Sequence, residues 1–131
     1  MNTNIALIID DNATIRELLR QTLKLLGFQH IHDAANGLTG IQLAQQQPFD
    51  VIFLDLELPD LHGTSVLNHL KPSLPDTPVI VVTAHTTVEN LKLSLAAGAS
   101  GFIAKPFSAQ KISAILHKNH AQPGSARSVS P

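Results

Sequence analysis

Five short apolar runs, rich in β-branched residues, punctuate the chain: residues 4–9 (Asn-Ile-Ala-Leu-Ile-Ile), the weaker 30–34, 51–54, 79–82 and 101–104. Each is too short for a helix, and three are nearly all apolar, as expected of strands buried on both faces of a parallel sheet. The segments between them carry helical spacing. The clearest sets Ile15, Leu18, Leu19, Leu23 and Leu26 on one stripe, opened by Asn12 as N-cap and closed by Gly27. Further helices are predicted over residues 37–46, 64–70, 87–97 and 108–117. Strands alternating with helices predict an α/β protein, a doubly wound (βα)5 unit with an open five-stranded parallel sheet and right-handed crossovers.

The length of 131 residues suits one domain, expected over residues 1–120, and 44% hydrophobic against 15% charged residues is a globular balance. Residues 121–131 are mostly Pro, Ser, Gly and Ala, and read as a flexible tail or linker. The absence of cysteine removes thiolate chemistry, thiolate zinc sites and disulfides, which fits a reducing compartment. A net charge of -1 gives no electrostatic footprint for nucleic acid or an anionic membrane. The first apolar run is broken at once by Asp10 and Asp11, unlike a secretory signal, and no run approaches membrane-spanning length. A cytoplasmic protein is expected.

Open parallel sheets bind ligands beyond the carboxyl ends of their strands. The first strand ends in Asp10-Asp11, the third in Asp55, the fourth in Thr83 and the fifth in Lys105. Each alone has a plain explanation: Asp is common after a strand, Thr is at home within one, and a lone Lys is usually solvated. Together they form an array in which adjacent carboxylates would raise one another's pKa, a repulsion that a hard cation such as Mg²⁺ relieves. With a cation at Lys105 and a hydroxyl at Thr83, such a pocket is equipped for a transferring phosphoryl group, whose chemistry is mostly positioning and charge neutralisation. A carboxylate can itself be the nucleophile and form an aspartyl-phosphate. Asp55, ending the central strand and flanked by the other groups, is the candidate, leaving Asp10 and Asp11 to hold metal.

The stretches Ile8-Ile-Asp-Asp11, Phe53-Leu-Asp-Leu-Glu-Leu-Pro59 followed by Gly63, Val82-Thr-Ala84, and Ala97-Gly-Ala-Ser-Gly-Phe-Ile-Ala-Lys-Pro-Phe107 resemble the signature blocks of response-regulator receiver domains of two-component signalling, chemotaxis-type members above all. The resemblance runs over about residues 4–118, in order. It implies a flavodoxin-like fold with strand order 2-1-3-4-5 and phosphorylation of Asp55 by a sensor histidine kinase, a phosphotransfer protein or a small phosphodonor. It implies Mg²⁺ held by Asp11, Asp55 and the backbone carbonyl of Glu57, with Asp10 acting through water. Lys105, preceding a cis bond to Pro106, would pair with Asp55 and then with phosphoryl oxygens. Thr83 and the N–H of Ala84 would bind the phosphate, and Phe102 would turn with Thr83 as the switch aromatic. The surface of the fourth helix, last strand and last helix would meet an output partner or a second copy.

Two positions are this sequence's own. Glu57 follows Asp55 by two residues and His85 follows Thr83 by two, where receivers vary and tune phosphoryl lifetime. The Glu57 carboxylate is either a solvated loop group or one that faces metal and phosphate, favouring the unphosphorylated, metal-bound state. On the fourth helix Val88, Leu91 and Leu95 form one stripe, while Leu93 and Ala97 lie around the helix from it. One set should be buried, and the resemblance favours Leu91 and Leu95 as exposed members of the partner face, beside Phe102. His30 and His32 read as surface positions on an edge strand. Two other functions share part of the array: an aspartyl-phosphate-type phosphatase, which would want an Asp-x-Asp after the first strand and a cap segment, and a receiver-shaped docking module that is never phosphorylated. The second would ordinarily have lost Lys105 or an acid, and this chain retains them all.

Overall fold

The structure, a computed structural model, describes residues 4–123. Its elements alternate along the chain as β1 (Ile5–Ile9), α1 (Ala13–Leu25), β2 (His30–Ala34), α2 (Gly37–Gln46), β3 (Val51–Leu54), α3 (Gly63–Leu70), β4 (Val79–Thr83), α4 (Val88–Ala96), β5 (Gly101–Ala104) and α5 (Ala109–Lys118). The five strands form one parallel sheet in the order β2-β1-β3-β4-β5. This is the (βα)5 architecture and strand order expected from the sequence.

Successive strand residues point to opposite faces, so each strand feeds two cores. Ala6, Ile8, Phe53, Ile80 and Val82 meet α1 and α5 through Leu19, Leu23, Ile112 and Leu116. Leu7, Ile9, Leu54 and Val81 meet α2 and α3 on the other face, where Ile41, Val66 and Leu67 are buried. Covering on both faces explains why β1, β3 and β4 read as unbroken apolar runs. The edge strand β2 leaves His30 and His32 exposed. Helix starts are capped by side chains: the Asn12, Asn36, Thr87 and Ser108 oxygens accept from Ile15, Thr39, Asn90 and Lys111 N–H groups.

Two expectations need correction. On α1, Leu18 is 48% exposed rather than buried. It sits at the flank of the stripe, and Thr22 takes the inward position, its hydroxyl satisfied by the Leu18 carbonyl at 2.9 Å. On α4, neither apolar stripe is buried: Val88, Leu91, Leu93 and Leu95 are 67, 36, 49 and 52% exposed. The inward line is instead Asn90, Ser94 and Ala97, of which only Ser94 is fully buried. The small and polar residues face inward, and the leucines are left outward on both flanks. At the C-terminus, Ala121 is packed against the α1–α5 core with its N–H on the Leu116 carbonyl at 2.8 Å; residues 124–131 of the expected tail lie outside the described residues.

The Ser94 hydroxyl is buried without a hydrogen-bond partner among the described residues. An unsatisfied buried hydroxyl is destabilising, and alanine is the better helix former. Ser94→Ala is expected to raise stability by roughly 1 kcal/mol in urea unfolding, at an unchanged denaturant slope.

Candidate functional site

Sheet register builds the site. Ile9 of β1 pairs with Leu54 of β3, so the residues that follow, Asp10 and Asp55, emerge side by side at the same edge. Their backbones stay tied to the ladder, the Asp10 N–H on the Ala34 carbonyl at 3.0 Å and the Asp55 N–H on the Ile9 carbonyl at 2.9 Å. On the far side Thr83 pairs with Ala104, and the Lys105 N–H reaches the Thr83 carbonyl at 2.9 Å. The peptide bond from Lys105 to Pro106 is cis, as anticipated. After β3 the chain turns sharply, and Gly63 N–H donates to the Leu56 carbonyl at 2.7 Å. A Cβ on Gly63 would lie 2.7 Å from both the Asp55 carbonyl oxygen and the Leu56 Cα, so only glycine permits α3 to start there.

The Lys105 ammonium bridges two buried acids, donating to Asp10 Oδ2 at 2.8 Å and Asp55 Oδ2 at 3.0 Å. The Asp10 Oδ1 accepts the Asn12 N–H at 2.9 Å, and Asp55 Oδ1 accepts the Glu57 N–H at 3.3 Å. Burial pushes the Asp10 carboxyl pKa up, against the opposing hydrogen bonds from Lys105 and Asn12. For Lys105 burial works against the charged form, but its bonds to Asp10 and Asp55 outweigh that and hold its pKa above the usual lysine range. The two shifts differ in cause: burial dominates at Asp10, with the Asp55 charge a minor contribution, whereas at Lys105 the two acids prevail over burial. Asp10, Asp11 and Asp55 each offer a carboxylate oxygen, all within 4.8 Å of one another. An all-oxygen, carboxylate-rich donor set suits a hard divalent cation.

In front of these groups lies a cleft of about 510 Å³, lined by Asp11, Asp55, Glu57, His62, Ala84, His85 and Lys105, among others. Asp10 is buried behind it, bonded to Lys105 and Asn12, and Arg16 braces its carbonyl at 2.8 Å. Thr83 is fully buried, and its hydroxyl oxygen accepts the His85 N–H at 3.2 Å. Phe102 is half-buried against the sheet face that carries α2 and α3.

Comparison with known proteins decides the family. The family model described as "Response regulator receiver domain" matches residues 6–117. This chain belongs to the response regulator receiver family. As a receiver it is 32% identical over 114 residues to chemotaxis protein CheY-3 of Vibrio cholerae, covering 86% of this chain and 88% of that protein. It is 35% identical over 106 residues to the probable transcriptional regulatory protein TcrX of Mycobacterium tuberculosis, covering 81% of this chain and 45% of that protein, so the receiver spans about half of TcrX. Among solved structures, a CheY-like receiver domain protein from Methanospirillum hungatei superposes with a TM-score of 0.82 at 30% identity, covering 88% of this chain and 92% of that one. The CheX–CheY–BeF3–Mg complex from Borrelia burgdorferi gives 0.83 at 26% identity, covering 87% of each chain.

The structure thus brings Asp10, Asp11, Asp55 and Lys105 together, with Thr83 behind the cleft and Ala84 on its wall. Four features of this receiver's site lay beyond the sequence reading. The Glu57 carboxylate is exposed, as the solvated-loop reading expected, and turned away from the acids; what that reading missed is its contact with His85 Nε2 at 2.8 Å. Arg16 braces Asp10, and His62 joins the cleft wall; spacing alone flagged neither. The fourth is Asp60, whose carboxylate accepts Gly37 and Leu38 N–H groups at 2.8 and 2.9 Å and so fastens the β3–α3 loop to the start of α2.

Those two backbone bonds, Leu38 first and then Gly37, hold the Asp60 pKa below the ordinary 3.8. A depressed carboxyl pKa contributes stability above the unfolded value and loses it as pH falls through the folded one. Asp60→Asn is therefore expected to be less stable than the wild type at pH 7. The gap should persist down to about pH 5 and close on acidification below 3.8, read by urea unfolding across pH.

Proposed function

We propose that this receiver is a phosphorylation-controlled binding module of a two-component system, accepting one phosphoryl group on Asp55. The observation that carries the reading is the Asp55 carboxylate at the cleft, 3.0 Å from the Lys105 ammonium and within 4.8 Å of two further acids. In the transfer a carboxylate oxygen of Asp55 attacks phosphorus and a new P–O bond forms. The donor's P–N bond breaks if the donor is a kinase phosphohistidine, or its P–O bond if it is acetyl phosphate. The donor group leaves with the electron pair. Lys105 offsets the charge that gathers on the phosphoryl oxygens.

Asp11, Asp55 and the Glu57 carbonyl would hold Mg²⁺, with Asp10 acting through water; the bound ion supplies charge neutralisation and orients the phosphoryl oxygens. The Ala84 N–H and the Thr83 hydroxyl complete the phosphate's shell once Thr83 turns toward Asp55, and Phe102 follows it inward. The added charge of about -1.5 to -2 biases the loops around the site. Phosphorylation acts on the receiver's own side chain, so the protein is a substrate and switch rather than a turnover enzyme. The signal leaves through α4, β5 and α5: Leu91 and Leu95 are exposed on α4, and β5 and α5 carry a groove of about 310 Å³ lined by Phe102, Ile115, Lys111 and Lys118. An output partner or a second copy docks there, and a sensor histidine kinase or phosphotransfer protein supplies the phosphate. No helix among the described residues is long and apolar enough to cross a membrane; the family supports a cytoplasmic place of action, and a net charge of -1 argues against nucleic-acid contact by this domain.

Incubation with acetyl phosphate and Mg²⁺ is expected to add one phosphoryl group to the wild type by intact mass, and none to Asp55→Asn or to wild type in excess EDTA. Uptake by Asp55→Asn at the wild-type level would overturn the assignment.

A further inference from the structure

We infer that the Glu57–His85 pair is a strap that holds the β4–α4 loop and the first turn of α4 in the resting conformation, with His85 as its positioning residue. His85 makes three bonds to three different parts of the molecule. Its ring Nε2 meets Glu57 Oε1 at 2.8 Å. Its N–H donates to the Thr83 hydroxyl oxygen at 3.2 Å. Its carbonyl accepts Asn90 Nδ2, from the first turn of α4, at 3.0 Å.

The Glu57 end is the fixed one. Its backbone is bridged to His62, and its N–H donates to Asp55 Oδ1 at 3.3 Å. The His85 end is the movable one, since residues 84–87 are exposed and belong to no helix or strand. Beyond it, α4 has a weak hold on the sheet, because its one fully buried side chain, Ser94, carries an unpartnered hydroxyl. A modest tie at the first turn therefore decides how often this helix loosens. With His85 tied to Glu57, the Thr83 hydroxyl stays engaged inside its own loop. That bond uses only the oxygen as acceptor and leaves the O–H free to donate, but a hydroxyl drawn toward a phosphoryl group on Asp55 moves away from the His85 N–H and loosens the bond.

The release step rests on Asp55 being the phosphoryl acceptor. A new dianion beside the Glu57 N–H repels the Glu57 carboxylate and competes for the His85 ring. The strap then opens, Thr83 is freed, and the Asn90 tether of α4 goes with it.

Amide hydrogen exchange of Leu91–Leu95 in the unphosphorylated full chain tests the strap directly. An exposed pair of this kind predicts exchange about two- to five-fold faster in Glu57→Ala and in His85→Ala, with core β3 and β4 amides unmoved. The double variant should be no faster than either single one, because each residue acts through the other. Glu57→Gln, which keeps an acceptor for Nε2–H, should stay nearer the wild type. Unchanged α4 exchange in either single variant, or effects that multiply in the double variant, would overturn the proposal. A second arm adds acetyl phosphate and Mg²⁺ and counts phosphoryl groups by mass. Phosphorylated wild type should match the single variants in α4 exchange, and a phosphorylated protein with α4 exchange unmoved would overturn the release step. Absence of any phosphoryl uptake would sink the phosphoacceptor reading and the release step with it, while the exchange comparison still decides the strap.

Discussion

The Lys105 ammonium held between Asp10 and Asp55 is the interaction on which the rest of the receiver's working edge depends. Three acids gathered at the ends of β1 and β3 repel one another, and two of them are nearly inaccessible to water. Removing a buried charge's partner costs about 3–5 kcal/mol, so this edge is tolerable only because one cation reaches both carboxylates. That cation comes from the end of β5, across the sheet from Asp10. The bridge therefore ties the two ends of the sheet's acidic rim together, joining Asp55 on β3 to the chain that follows β5.

Around this bridge the site divides into a rigid half and a loose half. On the rigid side, the β3–α3 loop is fastened by Gly63 on Leu56, by the bridge between Glu57 and His62, and by Asp60 on the start of α2. On the loose side, the β4–α4 loop is exposed, and α4 presents leucines outward while its inward line is small and polar. An element held so lightly belongs to the less stable part of the fold, the part from which switching elements are ordinarily drawn; on the proposed function, any movement would fall to that half.

The sequence carried the sheet and its edge well because both follow from strong local signals. Buried parallel strands must be continuous apolar runs, so β1, β3 and β4 were readable, and the polar residues ending them were visible as Asp10, Asp11, Asp55, Thr83 and Lys105. Alternation along β1 and β3 also decides which side chains face which helices. α4 was misread because periodicity assumes that a helix buries its apolar side. Here Ser94 and Ala97 go inward on account of their small size, and only the tertiary packing reveals that. Leu18 failed similarly, displaced from the core by a threonine that satisfies its own hydroxyl locally. The Glu57–His85 contact joins two loops 28 residues apart, and no spacing rule reaches across them.

The central claim is that the acid which receives the phosphoryl group is Asp55, with Asp10 and Asp11 as its supports. Borohydride reduces an acyl phosphate on aspartate to homoserine, so trapping the Mg²⁺ and acetyl phosphate-treated protein and sequencing its peptides by mass spectrometry locates the group. Homoserine at position 55, absent when Mg²⁺ is chelated, is the predicted result. Homoserine at position 10 or 11, or at no position in a protein that remains folded, would contradict the account.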